Sequence, residues 1–124
     1  GHVGTLEAYA SGPGLAQTWC EMTGRQEAVT GKDVPALPGG PEAVARTGEY
    51  LGYGLVSLAN ALDPDVIVIG GGMAALGDAL LEPAGRVLRA RALPGPAQCP
   101  VVSTALGPDT SAIGAASLAM PPAL

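Results

Sequence analysis

At 124 residues the chain is about one domain, long enough to bury a core of its own, and 48% of it is hydrophobic. A net charge of −5, with six scattered Lys and Arg and no aromatic-basic face, argues against a nucleic-acid surface on this segment. There is no charged-then-apolar leader and no unbroken apolar run near about eighteen residues, so neither secretion nor a membrane span is indicated, and a reducing cytoplasm is the default location.

The only aromatic residues are Trp19, Tyr9, Tyr50 and Tyr53, with no Phe, so the core must be built from Ala, Val, Leu and Ile packed through small residues. Nineteen glycines and twelve prolines punctuate apolar periodic segments, as in a globular domain with many turns. Cys20 and Cys99 lie far apart in no CxxC spacing, which indicates neither a metal knuckle nor a disulfide framework.

In chain order, Gly1-His2 has two readings: the scar left by removal of an expression tag, or a native ligand-bearing turn. Leu6, Tyr9, Leu15, Trp19 and Met22 recur near one helical face, interrupted by Ser11-Gly12-Pro13-Gly14. The pattern predicts a helical turn over 6–10 and a helix over 13–22 with proline in its first turn. Glu7 reads there as a solvent-facing carboxylate. Residues 24–40 lose periodicity and predict a surface loop or mobile linker.

Pro41-Glu42 then opens a helix predicted over 41–62, with Val44, Leu51, Leu55, Leu58 and Leu62 on its apolar side. Gly48, Gly52 and Gly54 inside it each cost about 0.5–1 kcal/mol against alanine, which implies close approach of another backbone. Asp63-Pro64 turns the chain into Asp65-Val66-Ile67-Val68-Ile69, a short apolar run that fits a parallel strand buried on both faces.

Gly70, Gly71 and Gly72 follow that strand. Without a Cβ they let a ligand approach the backbone, and their N–H groups can face a phosphate at the next helix start. The triplet is neither GxGxxG nor a Walker loop, so alone it reads equally as a tight connection. A third helix is predicted over 76–91, with Arg86, Arg89 and Arg91 near its C-terminal end, where cations suit the macrodipole. A second strand over 100–105 and a small-residue helix over 110–120, with Asp109 as N-cap, complete an α/β unit. Two strands are too few for an independent sheet, so the chain is expected to belong to something larger or to associate.

Three stretches, LEAYASGPGLA at 6–16, LDPDVIVIGGGMAALGDALLEP at 62–83 and ALGPDTSAIGAASLA at 105–119, closely resemble in that order the C-terminal part of ROK proteins. These are bacterial sugar kinases and sugar-responsive repressors. The resemblance implies a partial actin-like (ribonuclease H-like) ATPase lobe, with two short parallel strands and about four helices. It also implies that Glu7 contacts a sugar hydroxyl, that Gly70, Gly71 and Gly72 approach ATP, and that a native His2 would be a sugar ligand. In the full-length family, ATP with Mg would phosphorylate a hexose or N-acetylhexosamine.

The departures from the family pattern matter as much. Its glycine-rich phosphate loop and the Asp that acts as general base do not precede Gly1, so the isolated chain is expected to be inert. The family zinc loop is missing too, since Gly4-Thr5 stands where Gly-Cys would be, and no zinc is expected. The implied readings are therefore the C-terminal part of a glucokinase-like hexose kinase, the sugar-sensing lobe of a ROK repressor, or a non-catalytic module that forms a homodimer.

Overall fold

The computed structural model describes residues 4–120, so His2 and the turn it would form lie outside the described residues. Helix α1 is a single turn, Leu6–Tyr9, whose N-cap Thr5 accepts from the Ala8 amide at 3.4 Å. Ser11 then caps α2, Gly12–Thr23, by accepting the Gly14 N–H at 3.2 Å, with Pro13 in the first turn. The two helices sit so close that a Cβ on Gly14 would stand 2.7 Å from the Tyr9 carbonyl oxygen. Only glycine lets α1 rest on the first turn of α2.

Trp19 is fully buried on α2, and its indole N–H donates to the Pro38 carbonyl at 3.0 Å. Within the 24–40 segment, expected as a surface loop, a 3₁₀ turn at Val34–Ala36 places Val34 in the core at 0% exposure. Ahead of it, both the amide (3.0 Å) and the hydroxyl (2.7 Å) of Thr30 donate to the Asp33 carboxylate. These bonds favour the charged form and hold the Asp33 carboxyl below the usual carboxylate range.

Helix α3, Gly40–Leu62, is the spine of the fold. It carries Ala43, Val44, Leu51, Leu55 and Ala59 into one cluster with Leu15, Trp19 and Val34 from the N-terminal side and Leu80, Ala84 and Leu88 from α4, Asp78–Arg91. The glycines inside α3 explain how closely α4 lies. A Cβ on Gly48 would collide with the Leu80 carbonyl oxygen, and one on Gly52 would come within 2.7 Å of the Ala84 carbonyl oxygen and of the Val87 Cβ. The close backbone approach inferred from sequence is there at both positions. At Gly54 the neighbour is instead the Leu6 side chain, at 2.6 Å.

Strands β1, Ile67–Ile69, and β2, Val101–Ser103, pair in parallel with Ile67 opposite Val101, Val68 opposite Val102 and Ile69 opposite Ser103. Helix α4 is the crossover between them. Ile67, Ile69 and Val101 pack onto the α3–α4 core. The expectation of strands buried on both faces is corrected by Val68 and Val102, which are 57% and 41% exposed. The described helices cover one face of the pair and leave Val68 and Val102 on the other exposed. Helix α5, Thr110–Leu118, likewise has no buried residue.

Two local expectations also change. Helix α4 starts at Asp78 rather than 76, because Gly72–Leu76 winds into a 3₁₀ turn first. Asp109 makes no side-chain cap on α5. The Thr110 hydroxyl turns back instead, to the Gly107 carbonyl at 2.6 Å and the Thr104 hydroxyl at 2.9 Å.

Two predictions follow from this packing. Alanine in an open helix is favoured over glycine by about 1 kcal/mol, but overpacking a tight contact costs about 1–3 kcal/mol. Gly52→Ala should therefore lower the stability measured by urea unfolding, whereas Gly54→Ala, facing only the end of a flexible leucine, should be close to neutral. For Asp33, whose folded pKa is depressed, the contribution to stability is complete above the ordinary carboxylate range and fades as pH falls through the lowered value. An NMR pH titration should show the Thr30 amide shifting with a midpoint below that of a free aspartate, and Asp33→Asn should abolish the transition.

Candidate functional site

In a parallel α/β unit the loops at the carboxyl ends of the strands form the natural crevice for a ligand. Here those loops converge. Gly70, Gly71 and Gly72 leave β1, while Thr104 leaves β2 with its amide donating to the Ile69 carbonyl at 2.9 Å. The Thr104 hydroxyl accepts the Leu106 amide at 3.2 Å and pairs with Thr110, which lies beside Gly70: a Cβ there would stand 3.7 Å from the Thr110 methyl. The 3₁₀ turns Gly72–Leu76 and Gly107–Asp109 touch one another, joining the two loops.

The three glycines have different reasons to be glycine. Gly71 sits at φ +78°, ψ −172°, a region that side chains rarely adopt. Gly70 would meet nothing closer than ordinary van der Waals contact with a Cβ, and Gly72 nothing within 4 Å. The fold therefore requires Gly71 but gives no packing reason for glycine at 70 or 72, whose bare backbone faces outward, both residues being exposed.

Gly72 opens into a cleft of about 770 Å³. One wall is the turn after β1, with Met73, Ala75 and Leu76; the other is the first turn of α2, with Pro13 and Ala16. Val29, Thr30, Gly31 and Lys32 close the third side. Gly31 is seated directly on Gly12, since a Cβ on it would come 2.7 Å from the Gly12 Cα. Residues 29–32 were missed in the sequence because their stretch lacks periodicity. The signal available was Thr30-Gly31-Lys32-Asp33, a turn in which the first and last residues can bond.

Glu7 is exposed on α1 and does not line the cleft that Gly72 lines. Its helix is fixed on either side of it: Leu6 lies on Gly54, and the Tyr9 ring stands 5.3 Å from that of Tyr50 at an interplanar angle of 55°. Glu7 thus sits on α1, which rests on the first turn of α2 at Gly14, and the opposite side of that turn borders the cleft beside Gly72. Among the described residues, no three of His, Cys, Asp and Glu gather as a metal site. None of the described helices is long and apolar enough to cross a membrane.

Comparison with known proteins gives one consistent family. The glucokinase of Halalkalibacterium halodurans is 36% identical to this chain over 92% of its length, but the match covers only 40% of that protein. Among solved structures, a ROK family glucokinase from Streptomyces griseus, in complex with glucose and AMPPNP, is similar with a TM-score of 0.76 and 25% identity, over 95% of this chain and 45% of that one. A ROK hexokinase from Thermus thermophilus is similar with a TM-score of 0.66 and 32% identity, over 93% of this chain and 40% of that one. A ROK family transcriptional regulator, a homolog of the E. coli MLC protein, shares the fold at 23% identity and a TM-score of 0.68, over 83% of this chain and 30% of that one. The chain thus spans under half the length of the relatives it matches. The ROK family model matches residues 1–121, and with the α/β lobe of the ROK glucokinases in place from α1 to α5, this chain belongs to the ROK family.

Proposed function

We propose that this chain is the C-terminal lobe of an ATP-dependent hexose kinase of the glucokinase type. The observation that carries this reading is the pair of bare glycines at the carboxyl edge of the parallel strands, Gly70 and Gly72, for which the fold itself has no packing use. Gly70, Gly71 and Gly72 would let the backbone lie against ATP, and Gly72 lies in a cleft large enough for a nucleotide. Glu7 would accept a hydrogen bond from a sugar hydroxyl; the O–H donates and the carboxylate accepts, a charge-assisted pair that orients the sugar. The sugar would be a hexose or an N-acetylhexosamine, and Mg would accompany the phosphates in the full-length protein.

Phosphoryl transfer depends on positioning and on stabilising charge, with little covalent work for the protein. Residues on this chain would supply positioning at two ends of the reaction. The base and the phosphate loop would come from the remainder of a longer polypeptide. The lobe of a ROK repressor is the second reading, supported by the fold shared with the ROK transcriptional regulator.

We further propose that the chain is cytoplasmic and pairs with a second copy. Val68, Val102, Leu118 and Met120 leave aliphatic surface uncovered, and contiguous apolar surface on a soluble chain is usually buried against a partner. Light scattering should give twice the 12.2 kDa chain mass, and a stable monomer would contradict the pairing.

The nucleotide reading is tested by substitution in the triplet. Gly72→Ala should leave thermal unfolding unchanged while weakening the amide shifts that millimolar ATP induces at residues 70–72. Gly71→Ala should cost about 1–3 kcal/mol of stability through its backbone conformation. Unaltered ATP-induced shifts in Gly72→Ala would remove the glycine from the binding surface.

A further inference from the structure

Lys32 is the only lysine in the chain and, among the described residues, the only charged one lining the cleft beside Gly72. The other walls are aliphatic or uncharged, and the chain as a whole is negative, so an anion entering this cleft meets one favourable charge. Several other cations are engaged elsewhere. Arg25 pairs with Glu27 at 3.3 Å, Arg46 pairs with Glu49 at 2.7 Å, and Arg91 stands over the Tyr53 ring at 5.9 Å. Lys32 makes no ion pair among the described residues.

The first turn of α2 also borders the cleft, and a helix N-terminus would ordinarily attract an anion by its free amides. Here those amides are largely spent. The Gly14 N–H goes to the Ser11 hydroxyl, the Leu15 N–H goes to the Ser11 carbonyl at 2.8 Å, and Pro13 has none to give. The charge must come from a side chain instead. Lys32 is well placed for it, because its backbone is pinned on both sides: Gly31 rests on Gly12, Thr30 is tied to the Asp33 carboxylate, and Val34 is in the core.

We propose that Lys32 pairs with the phosphate chain of a nucleoside polyphosphate in this cleft, its base lying on the aliphatic wall of Ala16, Val29, Met73 and Leu76. The inference rests on the nucleotide reading of residues 70–72. An ammonium on a flexible stem acts as a point charge on phosphate, at an exposed lip where salt screens it.

The single lysine gives a direct test. Reductive ¹³C-methylation yields one side-chain resonance besides that of the amino terminus, and it preserves the charge. The chain and its Lys32→Met and Lys32→Arg variants are titrated at low salt with ATP, adenosine and tripolyphosphate, following also the amides of residues 70–72. ATP should move the lysine resonance and the glycine amides together. Lys32→Met should weaken ATP binding about fivefold and leave adenosine binding unchanged, with Lys32→Arg restoring most of the loss. Equal ATP affinity in Lys32→Met, with the glycine amides still shifting, would overturn the role of Lys32 and leave the nucleotide reading intact. Glycine amides that respond to neither ATP nor adenosine would overturn the nucleotide reading, and this inference with it. A lysine that responds to tripolyphosphate as it does to ATP, with adenosine moving no glycine, would mark a bare anion site and likewise end the proposal.

Discussion

The contact on which this structure depends is the backbone-to-backbone approach of α3 and α4 at Gly48 and Gly52. A chain with no phenylalanine and a single tryptophan has few large side chains with which to fill the space between helices. It closes that space by bringing the helices together until the α3 glycines lie against the carbonyls of Leu80 and Ala84. Glycine in a helix costs about 1 kcal/mol in propensity, and the dispersion contacts regained along the seam offset it. Leu51, Leu55, Ala59, Leu80, Ala84 and Leu88 are buried as a consequence.

That seam sets the position of everything at the ligand edge. Helix α4 is the crossover between β1 and β2, so fixing it on α3 fixes the parallel register and the point where both strands end. The turn after β1 is then shaped by one residue: Gly71 takes the conformation that reverses the chain, and Gly72 is left as open backbone. Structure and proposed function divide the triplet between them. The middle glycine serves the turn, and its neighbours, which no packing contact requires to be glycine, are the ones the proposal gives to the nucleotide.

Much of this was legible in the sequence, where local chemistry decides the outcome. Pro13 and Pro41 mark helix starts by the missing amide of proline, and both helices begin within one residue of the predicted place. Gly48 and Gly52 announced a close neighbour by costing stability without one. The reading went astray where the deciding partner lies elsewhere in space. Val66 to Ile69 reads as doubly buried because an apolar run records what a sheet needs, while the cover over Val68 is not supplied by the described residues. Asp109 lost the cap because Thr110 found Gly107 and Thr104 first. Lys32 carried no signal beyond the turn from Thr30 to Asp33, since its place at the cleft follows from Gly31 docking on Gly12, a contact no local pattern encodes. Glu7, one exposed carboxylate on a single helical turn, is singled out only by the family motif.

On the proposed reading, the separation of Glu7 from the glycine cleft is itself informative. A kinase must hold a sugar and a nucleotide at a fixed distance, and misplacement by about 1 Å is costly to the rate. The element that joins the two ends here is the first turn of α2, and it is held from three directions, two of them by contacts with no room for a side chain. Gly14 lies against the Ala8 and Tyr9 carbonyls of α1, Gly31 lies against Gly12, and Leu15 anchors the turn in the core. Backbone packed on backbone has no rotamers to adjust, so a displacement of α1 is carried to the cleft wall rather than absorbed. The stiffness that would position Glu7 for a sugar is thus the same stiffness that holds the wall facing Gly72.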